Sequence, residues 1–131
     1  MANAVLDASA LLAFLFDEPG SDMVTWVLGD GACISSVNLS EVLPVLVDRG
    51  VEVEDALTDL ANAGLLEALE VVGFSLELAS DAARLRGISR VLGLSLGDRA
   101  CLALAKSRDL PAVTADKRWA SLKGVEVRVI R

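Results

Sequence analysis

The chain has 131 residues, 53% of them hydrophobic and 24% charged, with a formal net charge of −7. At 13.7 kDa and a mean hydropathy of +0.53, it has the size of one globular domain that builds its own core. Histidine and tyrosine are both absent, which excludes the commonest general base, the Ser–His and Cys–His nucleophile pairs and most zinc sites; any catalysis must rest on carboxylates, hydroxyls, Lys or Arg, and bound metal.

Ala4-Val5-Leu6 reads as a short buried strand that ends at Asp7 and leads into a helix at Ala8-Ser9-Ala10-Leu11-Leu12. The apolar run at 8–16 is too short to span a bilayer. Asp7 abuts it and no basic residue precedes it, so it is not read as a secretory signal, and a soluble cytoplasmic protein is expected. Leu11, Leu12, Phe14, Leu15 and Phe16 are assigned to the core. Glu18-Pro19-Gly20 breaks the chain before a helix over 22–28, and Gly29-Asp30-Gly31 makes a turn. Ala32-Cys33-Ile34-Ser35 reads as a second strand. Leu39, Val42, Leu43, Leu46 and Val47 then follow the i, i+3, i+4, i+7, i+8 spacing of an amphipathic helix ending at Gly50. Pro44 lies inside that helix, where its missing N–H should bend the axis and re-aim Glu41.

Val53, Leu57, Leu60 and Ala61 give another helix, closed by Gly64. Glu70-Val71-Val72-Gly73-Phe74 reads as a third strand. Ser75 caps a helix carrying Leu78, Ala82, Leu85 and Ile88 as far as Leu92, and Ser95 starts a buried helix, Leu96–Arg108. Pro111-Ala112-Val113-Thr114 is a fourth strand. A helical turn at 118–122 follows, and Val125, Val127 and Val129 alternate in a last strand. Strands separated by helices predict right-handed βαβ units and a mainly parallel sheet. No repeat or linker interrupts the pattern, so residues 1–131 are read as one α/β domain. Cys33 and Cys101 stand singly among apolar residues and are assigned as core thiols of a reducing compartment.

Charge is uneven along the chain. Residues 1–75 carry thirteen acids and one base, a balance of −12, whereas residues 76–131 carry six acids and eleven bases, a balance of +5. Such asymmetry hints at a nucleic-acid or partner surface.

Four acids share one local context: Asp7 after the first strand, Glu41 in Asn38-Leu39-Ser40-Glu41, Asp98 in Ser95-Leu96-Gly97-Asp98, and Asp116 after the fourth strand. Helix capping explains each singly: Asp7 and Asp116 as N-caps, Asn38/Glu41 and Ser95/Asp98 as capping boxes. Together they ask for more. A parallel sheet sends all its strand C-termini to one edge, where open α/β folds place their sites. Carboxylates gathered there at about 5 Å repel by ~3 kcal/mol per pair at an effective dielectric near 20. A divalent cation offsets that, and an all-oxygen donor set selects Mg²⁺ or Mn²⁺ over zinc.

Val5-Leu6-Asp7-Ala8-Ser9-Ala10-Leu11, Ser36-Val37-Asn38-Leu39-Ser40-Glu41-Val42, the segment from Leu94 through Gly97-Asp98-Arg99 to Ala105, and Thr114-Ala115-Asp116 resemble, in order and spacing, the motifs of PIN-domain ribonucleases, in particular VapC-type toxins. The resemblance implies a three-layer α/β/α sandwich around a mostly parallel sheet of about five strands. It implies a Mg²⁺- or Mn²⁺-dependent endoribonuclease that dimerises and is inhibited by a small VapB-type antitoxin. By that resemblance Asp7, Glu41, Asp98 and Asp116 form the catalytic metal site, and Ser9 and Thr114 are its supporting hydroxyls. Arg99, Lys117 and Arg118 lie beside proposed ligands and are candidate RNA contacts; Arg86, Arg90 and Trp119 are weaker candidates, with Trp119 as a stacking surface, and the alternative is a solvated helix face and a Trp that packs its own short turn. The rival readings are another Mg²⁺-dependent phosphoryl-transfer enzyme and a silent binding module. A phosphoaspartate receiver is disfavoured because Val71-Val72-Gly73-Phe74-Ser75 carries no acid.

Overall fold

The computed structural model describes residues 1–131. Strands β1 (Val5–Leu6), β2 (Ala32–Ser35), β3 (Leu69–Val72), β4 (Ala112–Thr114) and β5 (Val127–Val129) form one sheet in the order β3-β2-β1-β4-β5. Every neighbouring pair is parallel, with Val5 opposite Cys33 on one side and Ala112 on the other. The sheet is thus wholly rather than mostly parallel. Its three inner strands are buried along their whole length, while β3 and β5 expose residues as edge strands do.

Alternation along the inner strands divides the core into two. Leu6, Ile34 and Val113 point to one face, beneath α1 (Ala8–Leu15), α2 (Ser21–Asp30), α3 (Ser36–Asp48) and α4 (Val53–Asn62). Val5, Cys33 and Ala112 point to the other, beneath α6 (Leu76–Arg84) and α8 (Leu96–Arg108), where Trp119 also packs. The result is an α/β/α sandwich. Each fully buried aliphatic side chain, such as Leu6 or Ile34, contributes ~2 kcal/mol. The cysteines are free and buried, as core thiols should be, and burial pushes Cys33 up to about 11. No helix is long and apolar enough to cross a membrane.

Several boundaries differ from those read in the sequence. The third strand stops at Val72 and the last begins at Val127, because sheet pairing ends there. The helix expected from Ser75 to Leu92 is two: α6, then α7 (Arg86–Leu92), with the break at Leu85 and a poor helix former, Gly87, in the first turn of α7. A short helix, α5 (Leu65–Ala68), follows Gly64, which adopts the left-handed conformation required there. Helix α3 begins at Ser36, runs on through Pro44, and is capped by the hydroxyl of Ser35 accepting from Val37 N. Asn38 is therefore not a cap, and the Asn38/Glu41 capping box does not form. Of the apolar run, Leu11 is buried, and Leu12, Phe14 and Leu15 pack half-buried against the core. Phe16 instead lies under the Arg49 guanidinium, 3.8 Å from its ring centroid.

Candidate metal centre

Asp7 is the first residue past β1, and the parallel sheet delivers it to the carboxyl edge beside the ends of β2 and β4. It is 5% exposed. It caps α1, its Oδ1 accepting from Ala10 N at 2.9 Å and from Ser9 Oγ at 2.7 Å, while Oδ2 accepts from Thr114 Oγ1 at 2.5 Å. Burial holds its carboxyl above the usual range; the two hydroxyls and the Ala10 amide pull the other way, and the nearby charge of Asp98 adds to the rise. Both hydroxyls also tie the site to the strand: Ser9 Oγ accepts from Ala115 N at 2.9 Å and Thr114 Oγ1 from Asp116 N at 3.0 Å. Ser9 and Thr114 thus stand where the sequence reading put them, against the Asp7 carboxylate.

The other three acids are each engaged locally. Asp98 forms a capping box at the start of α8: its Oδ2 accepts from Ser95 N at 2.9 Å, and Ser95 Oγ accepts from Asp98 N at 3.1 Å. Glu41, on the exposed side of the first turns of α3, accepts from Asn38 Nδ2 at 3.1 Å. Asp116 caps the 3-10 helix Lys117–Ser121 and is gripped by Arg118, whose Nη2 lies 2.6 Å from Oδ2 and whose Nε lies 3.0 Å from Oδ1. That guanidinium holds the Asp116 carboxyl below its ordinary value. Arg118 also donates from Nη1 to Leu92 O at 2.8 Å, tying the end of α7 to the site.

All four carboxylates, with Ser9 and Asn38, line a single pocket of about 300 Å³. No three of them are grouped closely enough to hold one ion as they stand; Asp116 is turned to Arg118 and Asp98 to its own helix start. The donor chemistry nonetheless fits a hard divalent cation: the lining offers carboxylate, hydroxyl and amide oxygens and no thiol. One buried carboxylate, Asp7, has hydroxyl partners but no cationic one.

Two further residues shape the pocket and were not among the site residues read from the sequence, Asn38 having been assigned only to a helix cap. Asn38 is 1% exposed; its Nδ2 donates to Glu41 Oε1 and to Gly97 O at 3.0 Å, while its Oδ1 is buried without a donor. A buried acceptor left unpaired costs about 1–3 kcal/mol. At Gly97 the second residue of α8 lies directly against Glu41, so that a Cβ there would overlap the carboxylate. The signal for both was present as a buried polar residue in an apolar helix stripe and a glycine in a helix first turn.

The basic candidates stand apart from the pocket lining. Arg99 follows Asp98 in α8, half-buried, with its Nε unpaired. Lys117 and Arg118 are exposed at the start of the 3-10 helix, and Arg86 and Arg90 are exposed on α7. Trp119 is fully buried in the second core, which removes it as a stacking surface for a base; its large apolar area packs the turn instead.

A parallel α/β sandwich with an acidic pocket at the carboxyl edge of its sheet is the class of protein that fold and site define. The PIN-domain family model matches residues 4–125, and the chain belongs to the PIN-domain family. Comparison with curated proteins gives no match. Among solved structures, the chain is similar to VapBC2 from Rickettsia felis bound to a DNA fragment from its promoter, with TM-score 0.72 and 18% identity over 98% of each chain. It is also similar to a toxin–antitoxin complex from Klebsiella pneumoniae, with TM-score 0.69 and 20% identity over 98% of each chain. VapBC-5 from Mycobacterium tuberculosis, a member of the VapBC family of toxin–antitoxin systems, shares 27% identity at TM-score 0.59, over 100% of this chain and 99% of that one.

Proposed function

We propose that this protein is a Mg²⁺- or Mn²⁺-dependent endoribonuclease, the toxin of a toxin–antitoxin pair, and that residues 1–131 form its single nuclease domain. It works in the cytoplasm as a homodimer restrained by a small VapB-type antitoxin. The reading is carried by one observation: Asp7, Glu41, Asp98 and Asp116 line a common pocket in a PIN-family chain. The 27% identity to VapBC-5 over the whole chain supports the toxin part of it.

Asp7, Asp98 and Asp116, with Glu41, would hold the cation. When bound, such an ion lowers the pKa of a water and offsets the negative charge that develops on a phosphodiester undergoing hydrolysis. The chain's own contribution is placement. Ser9 and Thr114 fix the two oxygens of Asp7, so its carboxylate needs no reorganisation to act as a ligand. The capping box anchors Asp98 at the start of α8, and its carboxylate has to turn from the Ser95 amide toward the pocket to join the ligand set. Arg99, Lys117 and Arg118 supply cationic contacts to the RNA backbone, which add affinity without sequence preference.

The test is incubation of the purified protein with total RNA and Mg²⁺ or Mn²⁺, beside Asp7→Asn and Asp98→Asn variants. Cleavage by the wild type, abolished by EDTA and reduced at least about 10²-fold by either substitution, is the expected result. Both variants cutting at the wild-type rate means that the site is elsewhere. Hydrolysis of a phosphomonoester with no RNA cut favours the rival reading of another Mg²⁺-dependent phosphoryl-transfer enzyme, one of phosphatase type. Growth arrest on expression, relieved by the adjacent small open reading frame, tests the toxin assignment on its own.

A further inference from the structure

We propose that Asn38 is a positioning residue that sets the distance between Glu41 and Asp98 by tying the first turn of α3 to the first turn of α8. The inference rests on the metal-centre reading above and deepens it. Asn38 is the only polar side chain of α3 among its buried residues. Its amide is oriented without ambiguity: both groups within reach, Glu41 Oε1 and Gly97 O, are acceptors, so the nitrogen must face them and the oxygen must face away.

The tie has two ends of different kind. One is the carboxylate of Glu41, otherwise free on an exposed side chain. The other is the backbone of Gly97, the residue immediately before Asp98, which therefore moves with the α8 helix start. Gly97 also lies directly against the same carboxylate, with no room for a Cβ between them. Glu41 is thus placed by a hydrogen bond from Asn38 and by contact with Gly97, both referred to the backbone that carries Asp98.

Packing does not account for the amide. Its Oδ1 is buried with no donor, and an apolar residue of the same volume would avoid that defect. A buried polar group kept with one unpaired atom is the kind of local inconsistency that function rather than stability maintains. Asn38 lines the acidic pocket and carries no charge, so it adjusts the geometry of the pocket without adding to its repulsion.

The experiment is a double-mutant cycle read in Mn²⁺ affinity by titration calorimetry, with cleavage measured separately. Asn38→Leu removes both hydrogen bonds while nearly preserving volume, and is expected to weaken Mn²⁺ binding about tenfold. In a Glu41→Ala background the same substitution should change affinity less than about twofold, because the group that it positions has gone. A full tenfold loss in that background overturns the proposal, since Asn38 would then act on the fold at large. Unchanged affinity in the single variant overturns it too. If Asn38→Leu does not fold, Asn38→Ala carries the same cycle. A wild-type chain that binds no Mn²⁺ sinks the metal-centre reading itself, and so is distinguishable from failure of the Asn38 assignment alone.

Discussion

Substituting Gly97 by alanine should separate stability from function. In helical backbone, glycine is worth about 0.5–1 kcal/mol less than alanine, chiefly through the entropy of the unfolded chain. The three atoms nearest to the added Cβ all belong to the carboxylate of Glu41, the tip of an exposed and flexible side chain. Little of the ~1–3 kcal/mol usual for overpacking is therefore incurred, because the obstacle can swing into water. The variant should be as stable as the wild type or up to about 1 kcal/mol more so, a rise in Tm of at most ~5 °C. Glu41, however, must leave its place against α8, and a displacement of about 1 Å at a reacting site costs on the order of 10²-fold in rate. Thermal melts, Mn²⁺ titration and RNA cleavage of Gly97→Ala read the three quantities. A variant that melts higher yet binds Mn²⁺ and cleaves like the wild type would show that the approach of Glu41 is without consequence. A fall in Tm of more than about 5 °C would show that Glu41 is not free to move.

Asp7→Asn should abolish activity and raise Tm at neutral pH. Burial raises the folded-state pKa of Asp7 above its ordinary 3.8, so the unfolded chain loses this proton first and stability falls as pH climbs from 3.8 through the raised value. The advantage of the variant should vanish when both forms are melted below about pH 4. Arg118→Ala should have opposite effects on binding and turnover: Asp116 loses the guanidinium that occupies its oxygens, so Mn²⁺ binds more tightly by calorimetry, while cleavage slows through loss of a phosphate contact. Weaker Mn²⁺ binding in that variant would refute the competition.

The sequence made the architecture legible because its signals are local and repeated. Runs such as Ala32-Cys33-Ile34-Ser35 are too short for helices and too apolar for loops, and the caps at Asp7, Ser75 and Ser95 formed as their spacing predicted. Parallel topology then follows from the alternation of strands with helices, and it carries four distant acids to one edge. What was not legible depends on contacts across the chain. Asn38 looked like a cap because capping is a local pattern; its true partner, Gly97, is 59 residues away. Trp119 offered two readings, a stacking surface beside basic residues or a side chain packing its own turn, and only the packing of distant segments, which buries it in the second core, decides between them. The division of residues 76–92 at Leu85 gave no sign in the hydrophobic stripe, which continues across both helices.

The pocket handles its negative charge in three unequal ways, and the inequality predicts how the protein answers a cation. Asp116 has a counterion in Arg118. Asp98 has backbone donors at its helix start. Asp7 has two hydroxyls, which orient but do not neutralise, and burial leaves its charge the most costly of the set. Four carboxylates less one guanidinium leave three negative charges around about 300 Å³, a repulsion that hydrogen bonds reduce and a divalent ion removes. A ligand that binds only the folded state at a hundred times its Kd stabilises by about 2.7 kcal/mol. With the unfolding entropy typical of a chain this long, that is a rise in Tm of about 10 °C. Mn²⁺ should produce it in the wild type, and Asp7→Asn, already relieved of the cost, should gain only a small fraction of it. Equal shifts in both proteins would mean that the ion binds away from Asp7, and the pocket would lose its claim to be the metal centre.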